Sequence, residues 1–331
     1  MKYLIVEPFV KAIAPNIALM KWARWCELNN HQYQYVRGIV TPDIEPDKIL
    51  MSCIFTYDAK IYEKTIKYYW TLFQHAELTV GGVFPTLNKK WFDQLSQKLG
   101  KNIIVHQRIH LDIEPLIPKY NVEIKSEKDD PEYRRDTVVL YASRGCVNKY
   151  SYCAVPGLEG KMRSFESIAD TLLVGRNEIN SRNAVLYDNN FTEHQYFNEI
   201  VHELKTHRMF VDIHGLHVES FTEEHARNLN MLDWAPQKKN GTAYIRFSFD
   251  KKSYSSAVEN ALKLAKKYKI RAAFFCYMLF NDQDTPDDFW WRIEEAQKIV
   301  DKVGQSIFLF PQRFEPFDSL KRNSHISKKW T

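Results

Sequence analysis

The stretch "TVVLYASRGCVNKYSYCAVPGLEGKMRS", Thr137–Ser164, leads from a strand-like run through a loop toward a helix-like run. Its first residues are almost all apolar and β-branched or aromatic, which is typical of a buried strand. The loop places Cys146 and Cys153 seven positions apart, and Tyr150 stands where a third cysteine would complete a C-x3-C-x2-C pattern. Glycines, Gly145 among them, supply the backbone freedom that such a loop needs. The stretch therefore predicts one β–loop–α unit whose loop is the candidate site.

The same alternation continues toward the end of the chain. Strand candidates are "TVVLYAS", "NAVLYD", "MFVDIHG", "TAYIRFSFD", "IRAAFFCYMLF" and "QSIFLFPQRF", with five helix candidates between them. Such a series could form a second open sheet or a partial barrel. "TAYIRFSFD" alternates apolar residues with Tyr, Arg, Ser and Asp, and a polar inner face suits a barrel that holds a ligand. We therefore expect an α/β fold in which residues 137–331 form a partial (β/α)6 TIM-type barrel.

The first part of the chain also alternates. Strand candidates are "KYLIV", "YQYVRG", "KILMSCIFTY", "ELTVGGV" and "KNIIVHQ", separated by amphipathic helical patterns. Short apolar strands between such helices predict a flavodoxin-like or Rossmann-like open parallel sheet over residues 1–121. The charged run "VEIKSEKDDPEYRRDT" contains a proline and few aliphatic residues. We expect residues 122–136 to be the linker between the two domains.

Composition limits the classes of protein to consider. The chain has 331 residues, 44% hydrophobic, with a formal net charge of +5 and five cysteines. This balance allows an anionic ligand but does not single out nucleic acid. The longest apolar run, "AAFFCYMLF", is too short for a membrane span, and no export signal is visible. We expect a cytoplasmic protein with reduced cysteines and no membrane contact.

The cysteine loop resembles that of the radical S-adenosylmethionine superfamily. The residues that carry the likeness are "SRGCVNKYSYCAVPGLEGKMRS". In that family three cysteines bind a 4Fe-4S cluster, and S-adenosylmethionine chelates the open iron. Electrons from a donor such as a flavodoxin or ferredoxin then generate a 5′-deoxyadenosyl radical, which abstracts hydrogen from a substrate. The resemblance implies this chemistry on a substrate that the sequence does not identify, and the first domain is similar to cobalamin-binding-like domains.

The resemblance also implies roles for individual residues. Cys146 and Cys153 would ligate the cluster, and Tyr152 would lie against the adenine of S-adenosylmethionine. "YDNN" fits the region that receives the methionine amino group, and "RFSFD" fits the region near the ribose and carboxylate. Arg246 could equally form a structural pair with an aspartate. The residues expected to bind the cofactor are thus Tyr152, Asp188, Asn189, Arg246 and Ser248.

Tyr150 departs from the family pattern, because a phenol is a poor soft ligand for iron–sulfur chemistry. Three interpretations stay open. In the first, the cluster binds weakly, with water or Tyr150 in the third position. In the second, the site is catalytically inactive and the barrel is kept for binding. In the third, a mutation in this copy of the gene has changed a cysteine codon to a tyrosine codon. The two cysteines could also be unrelated buried thiols.

Two hypotheses of different classes follow. One is a radical S-adenosylmethionine enzyme, and the other is a catalytically inactive binding protein of that fold with a nucleotide-like pocket. Base-off cobalamin domains carry D-x-H-x-x-G after the first strand, whereas this chain reads "EPFVKAIAPN" there. The absence of that histidine argues against cobalamin. A nucleic-acid partner has little support beyond a basic C-terminal tail with one Trp.

Overall fold

The structure is a computed structural model that describes residues 1–12, 14–236 and 241–331. Its first half contains a six-stranded, wholly parallel sheet with the order β5-β4-β3-β1-β2-β6. Read in the opposite direction and without β6, this is the flavodoxin order 2-1-3-4-5, which confirms the expected open sheet. The strands are β1 (Lys2–Glu7), β2 (Gln32–Arg37), β3 (Lys48–Ser52), β4 (Glu77–Gly81), β5 (Ile103–Val105) and β6 (Ile124–Ser126).

The two faces of this sheet are covered differently. The helices are α1 (Ile17–Leu28), α2 (Ala59–Leu72), α3 (Val83–Leu87) and α4 (Lys89–Leu99). Side chains of α2 and α4, such as Ile66 and Phe92, pack with Leu4 and Val6 of β1 in one core. On the other face, Ile5 packs with Leu19 and Met20 of α1. After β5, residues 106–123 form turns and no helix. A doubly wound fold normally has a helix there, so part of this face lacks its usual cover.

The segment predicted as a linker, residues 122–136, contains a strand in the structure. Ile124–Ser126 pairs in parallel with Tyr35–Arg37 and forms the sixth strand of the sheet. Val122 and Ile124 are each only 6% exposed and belong to the main core. Their i, i+2 spacing places both on one face of an extended chain, and the surrounding charges concealed this signal. The expected division into domains at 121 and 137 otherwise remains a prediction.

The second half contains the expected partial barrel. Its parallel strands form two groups, with the orders β12-β11-β10-β7 and β13-β14-β15. In the described part of the second half, five helices alternate with these strands, as the sequence predicted, and one further short helix, Val155–Leu158, lies inside the cysteine loop. The strands are β7 (Thr137–Leu140), β8 (Ser143–Arg144), β9 (Arg163–Ser164), β10 (Asn183–Leu186), β11 (Phe210–Ile213), β12 (Asp233–Trp234), β13 (Tyr244–Ser248), β14 (Ala273–Phe280) and β15 (Ile307–Arg313). The helices are α5 (Val155–Leu158), α6 (Ala169–Ile179), α7 (Phe197–Thr206), α8 (Glu223–Leu229), α9 (Ser255–Lys267) and α10 (Pro286–Val303).

The two halves share one core. Ile5, Met20 and Tyr35 from the first half belong to the same buried cluster as Val138 and Leu172 from the second. The two halves therefore pack against each other through this shared core. Among the described helices, none is both long and apolar enough to cross a membrane.

Candidate functional site

The cysteine loop leaves the barrel through a narrow neck. β8 and β9 pair antiparallel on either side of it, so residues 145–162 project as a closed loop. Gly145 has φ +80°, and a Cβ atom there would collide with the carbonyl of Lys161. Only glycine fits this position without strain. Ser164 lies in β9, and α6 begins five residues later at Ala169.

Both loop cysteines are free and half-buried. The Cys146 sulfur accepts a hydrogen bond from the backbone N–H of Asn148 at 3.4 Å. Burial raises the pKa of the Cys153 thiol, so it is a weaker thiolate donor than an exposed cysteine. Within the described ranges, no group of three or more His, Cys, Asp or Glu side chains is placed to hold a metal ion.

Tyr150 fills the position of the missing cysteine and is anchored there by hydrogen bonds. Its hydroxyl lies 2.8 Å from the Tyr254 hydroxyl and 3.0 Å from His217 Nε2. The ammonium of Lys251 lies 4.5 Å from the centre of the Tyr150 ring. Burial raises the pKa of Tyr150 and lowers the pKa of His217, so both are neutral near pH 7. We call Tyr254, His217 and Lys251 the Tyr150 socket.

Tyr152 lies beside Tyr150 at the edge of a small pocket. The two rings stack with centroids 5.2 Å apart and an angle of 11° between their planes. The pocket has a volume of about 410 Å³ and is lined by both tyrosines, by Lys149 and Lys251, and by Asp250, Asp282 and Asp284. Burial raises the pKa of Asp250 and of Asp282. An aromatic wall next to groups of both charges suits a polar, ring-containing ligand.

Asp188 and Asn189 stabilise the neck of the loop. Asp188 is 4% exposed and accepts hydrogen bonds from the N–H of Ala142, at 3.0 Å, and from the Ser143 hydroxyl. Burial raises the pKa of Asp188 to about 6. Asn189 donates its side-chain N–H to Glu159 Oε2 at 2.8 Å. Both predicted cofactor residues thus already have protein partners, and their contact with a cofactor stays a prediction.

Arg246 and Ser248 are also engaged internally. Arg246 forms an ion pair with Asp212, and their side chains are 4% and 1% exposed. Burial acts to raise the pKa of Asp212, but His214 and Arg246 together hold it below its usual value. Ser248 lies near Asp250 and acts to lower the pKa of that carboxyl, against the larger effect of burial. Arg246 therefore forms the structural pair with an aspartate that the sequence allowed, and its partner is Asp212.

A larger cavity, which sequence reasoning missed, lies between the first sheet and the barrel. We call it the central cavity; its volume is about 860 Å³. It opens over the face of the first sheet that lacks a helix after β5. The sequence signal that could have indicated this cavity is the absence of a helical pattern in residues 106–121. Its lining includes Trp22, Trp25, His110, Tyr141, Arg144 and Tyr187.

Comparisons with known proteins bear on the fold. No family model matches the sequence, and a search of curated proteins finds no match. Among solved structures, the chain is similar to the apo form of the cobalamin-dependent S-adenosylmethionine radical enzyme OxsB, with a TM-score of 0.56 and 12% identity. The match covers 89% of this chain and 51% of that one, so the chain spans about half the length of that protein. The chain thus has the fold of a radical S-adenosylmethionine enzyme.

Proposed function

We propose that this chain is a binding protein that keeps the fold of radical S-adenosylmethionine enzymes and assembles no 4Fe-4S cluster. The observation that carries the proposal is the Tyr150 socket. The side chain in the place of the third thiolate is a neutral phenol whose oxygen already has two hydrogen-bond partners, Tyr254 and His217. The Tyr254 and His217 contacts favour an established replacement over a recent loss of a ligand.

The donor set does not fit the cluster that the family binds. A cubane with one open iron needs three protein thiolates, whereas this loop offers Cys146 and Cys153. The buried cysteines Cys26, Cys53 and Cys276 lie outside the loop. Iron ligation by Tyr150 would break its hydrogen bonds and require a phenolate, which burial disfavours. The loop therefore lacks the donors that cluster-based catalysis requires.

The small pocket beside Tyr152 is the proposed site for a nucleoside-like ligand. The Tyr152 ring provides a stacking surface, and Asp250 with Lys251 provides an acceptor and a donor for polar groups. Arg246 and Asn189 have internal partners, so less of the protein is free to hold a methionine tail. The ligand would be recognised mainly by its adenosine part.

The central cavity is the proposed site of a second, larger ligand. The similar solved protein is described as cobalamin-dependent, and a volume of about 860 Å³ lies near the upper end of the range for organic cofactor sites. The missing histidine after β1 excludes only coordination from that loop. Trp22, Tyr187 and Arg144 all line the cavity, so two aromatic rings and one cation would contact a flat ligand there. We propose a cobalamin-type ligand there, which reverses the expectation from sequence.

Calorimetry on metal-free protein tests the nucleoside site. S-adenosylmethionine and 5′-methylthioadenosine should bind with affinities within about threefold of each other, because no iron chelates the methionine groups. Tyr152→Ala should weaken both ligands, and Tyr57→Ala, outside the pocket, should weaken neither. Binding of S-adenosylmethionine only after iron loading, with formation of 5′-deoxyadenosine, would instead support the enzyme hypothesis and its need for an electron donor.

Hydroxocobalamin tests the central cavity independently. The protein should retain it through gel filtration, and Trp22→Ala should reduce the retained amount while leaving nucleoside binding unchanged. Equal retention by Trp22→Ala, or none by the native chain, would remove cobalamin from the proposal.

A further inference from the structure

We propose that Glu114, in the first half of the chain, is a positioning residue for the cysteine loop in the second half. It acts through Arg144 and Glu159, which connect the wall of the central cavity to the neck of the loop. This inference does not depend on which ligand occupies either pocket.

The first contact joins the two halves. Glu114 Oε1 lies 3.1 Å from Arg144 Nε, and Glu114 Oε2 lies 3.5 Å from Lys21 Nζ on α1. Lys21 also donates to the backbone carbonyl of Glu114, which fixes the turn that carries this carboxylate. The Arg144 guanidinium lies 4.0 Å from the centre of the Tyr141 ring, so it is held from its flat side as well.

The second contact reaches the loop itself. Arg144 Nη1 lies 3.2 Å from Glu159 Oε1. The other oxygen of Glu159 accepts hydrogen bonds from the N–H of Gly145 at 2.7 Å and from the side chain of Asn189 at 2.8 Å. Glu159 thus closes residues 145–159 into a ring that contains both cysteines. Its carboxylate is oriented by Arg144, which in turn is oriented by Glu114.

Burial makes this chain of charges effective. The side chains of Lys21, Glu114, Arg144 and Glu159 are 10%, 19%, 11% and 13% exposed. Charges that are mostly shielded from water interact more strongly than surface pairs and are screened less by salt. All four residues line the central cavity. A change at the cavity wall can therefore reach the cysteine loop through adjacent contacts.

Glu178 provides a matched control. It also joins the two halves, because it pairs with Arg24 of α1 and accepts the N–H of Tyr120 at 2.7 Å. Its side chain is 16% exposed, close to that of Glu114. Among the residues that the structure describes, its hydrogen-bond and ion-pair partners are Arg24, Tyr120 and Asn121, and none of these lies in the cysteine loop. Loss of its charge should weaken the contact between the halves without releasing the loop.

The reactivity of the cysteines with a thiol reagent such as DTNB reports on loop position. Cys26, Cys53 and Cys276 are fully buried, so the rapid reaction of folded protein comes from Cys146 and Cys153. Glu114→Gln should increase that rate about tenfold. Loss of one charge-assisted contact makes local opening of the loop more favourable by about that factor, and the cysteines react from the open state. Arg144→Lys should also increase it, because an ammonium cannot bridge two carboxylates as a guanidinium does. Glu178→Gln should stay within about twofold of the native rate.

A native rate in Glu114→Gln, or an equal increase in Glu178→Gln, would overturn the proposal. Reaction of all five cysteines would show that Glu114→Gln does not fold, and the rate of Arg144→Lys then decides by the same criterion. Peptide mapping of the labelled protein assigns the reaction to Cys146 and Cys153.

Discussion

The Tyr150 socket and the central cavity are two recesses next to the same loop, and they differ in how their polar atoms are satisfied. In the socket, the Tyr150 hydroxyl is hydrogen-bonded both to the Tyr254 hydroxyl and to His217 Nε2. Around the cavity, His106 Nε2 is buried and has no hydrogen-bond partner among the residues that the structure describes. Buried polar atoms in native proteins are nearly always paired. The protein itself thus satisfies the polar atoms of the socket, whereas the cavity keeps a buried nitrogen that the proposed ligand would pair.

The largest expected effect tests whether Arg246, like Tyr150, is fully engaged by partners within the protein. Arg246→Ala would leave the buried Asp212 carboxylate without its cationic partner. We expect the free energy of unfolding to fall by about 3–5 kcal/mol, measured by urea denaturation. Lys252→Ala, which removes an exposed pair with Asp288, should cost less than about 1 kcal/mol. A near-native stability of Arg246→Ala would show that the arginine is free for a ligand.

The second effect is a pH dependence from Asp188. The pKa of this carboxyl is raised by burial from 3.8 to about 6, so the folded state holds the proton more tightly than the unfolded chain. That proton stabilises the fold fully below pH 3.8, and its contribution is lost as the pH rises through 6. The loss amounts to about 3 kcal/mol. Urea denaturation at pH 4 and pH 7 should show that Asp188→Asn lacks this decrease; an identical decrease in both proteins would contradict the assignment.

The third effect separates two glycines of the loop. Gly145 has a positive φ, and its substitution would produce a collision, whereas Gly157 lies in α5 with open space around it. Gly145→Ala should lower stability by about 2 kcal/mol, and Gly157→Ala should be neutral or slightly stabilising. Thermal unfolding of the two variants measures the difference. Equal melting temperatures would mean that the neck of the loop is not held as described.

The smallest effect concerns the socket itself. Tyr254→Phe removes one hydrogen bond to Tyr150 and leaves the one to His217. We expect a cost of about 1 kcal/mol in urea denaturation, because a single neutral hydrogen bond contributes about that much. Tyr68→Phe, which removes an exposed hydroxyl contact with Thr41, is the control and should cost less. No cost in Tyr254→Phe would indicate that the socket does not hold Tyr150.

The sequence predicted the fold better than the site, for a physical reason. Strand and helix periodicity is local, so the flavodoxin-like sheet, the barrel and the cysteine loop could all be recognised. The partner of Arg246 is Asp212, 34 residues away on another strand, and the pattern of one strand does not reveal a partner on another. The central cavity arises from a helix that does not form after β5, and a pattern search registers helices more readily than their absence. Among the loop glycines, Gly145 lies at the turn, whereas Gly157 lies in a short helix.

Iron and sulfide content after anaerobic reconstitution tests the central claim most directly. The native chain should retain less than about one iron per molecule, because its loop lacks a third thiolate. Tyr150→Phe, which keeps the ring and removes the hydroxyl, should behave in the same way. Tyr150→Cys should hold more iron and sulfide, approaching four of each. A native chain that binds about four irons with matching sulfide would contradict the account, since it would show that Tyr150 does not prevent cluster assembly.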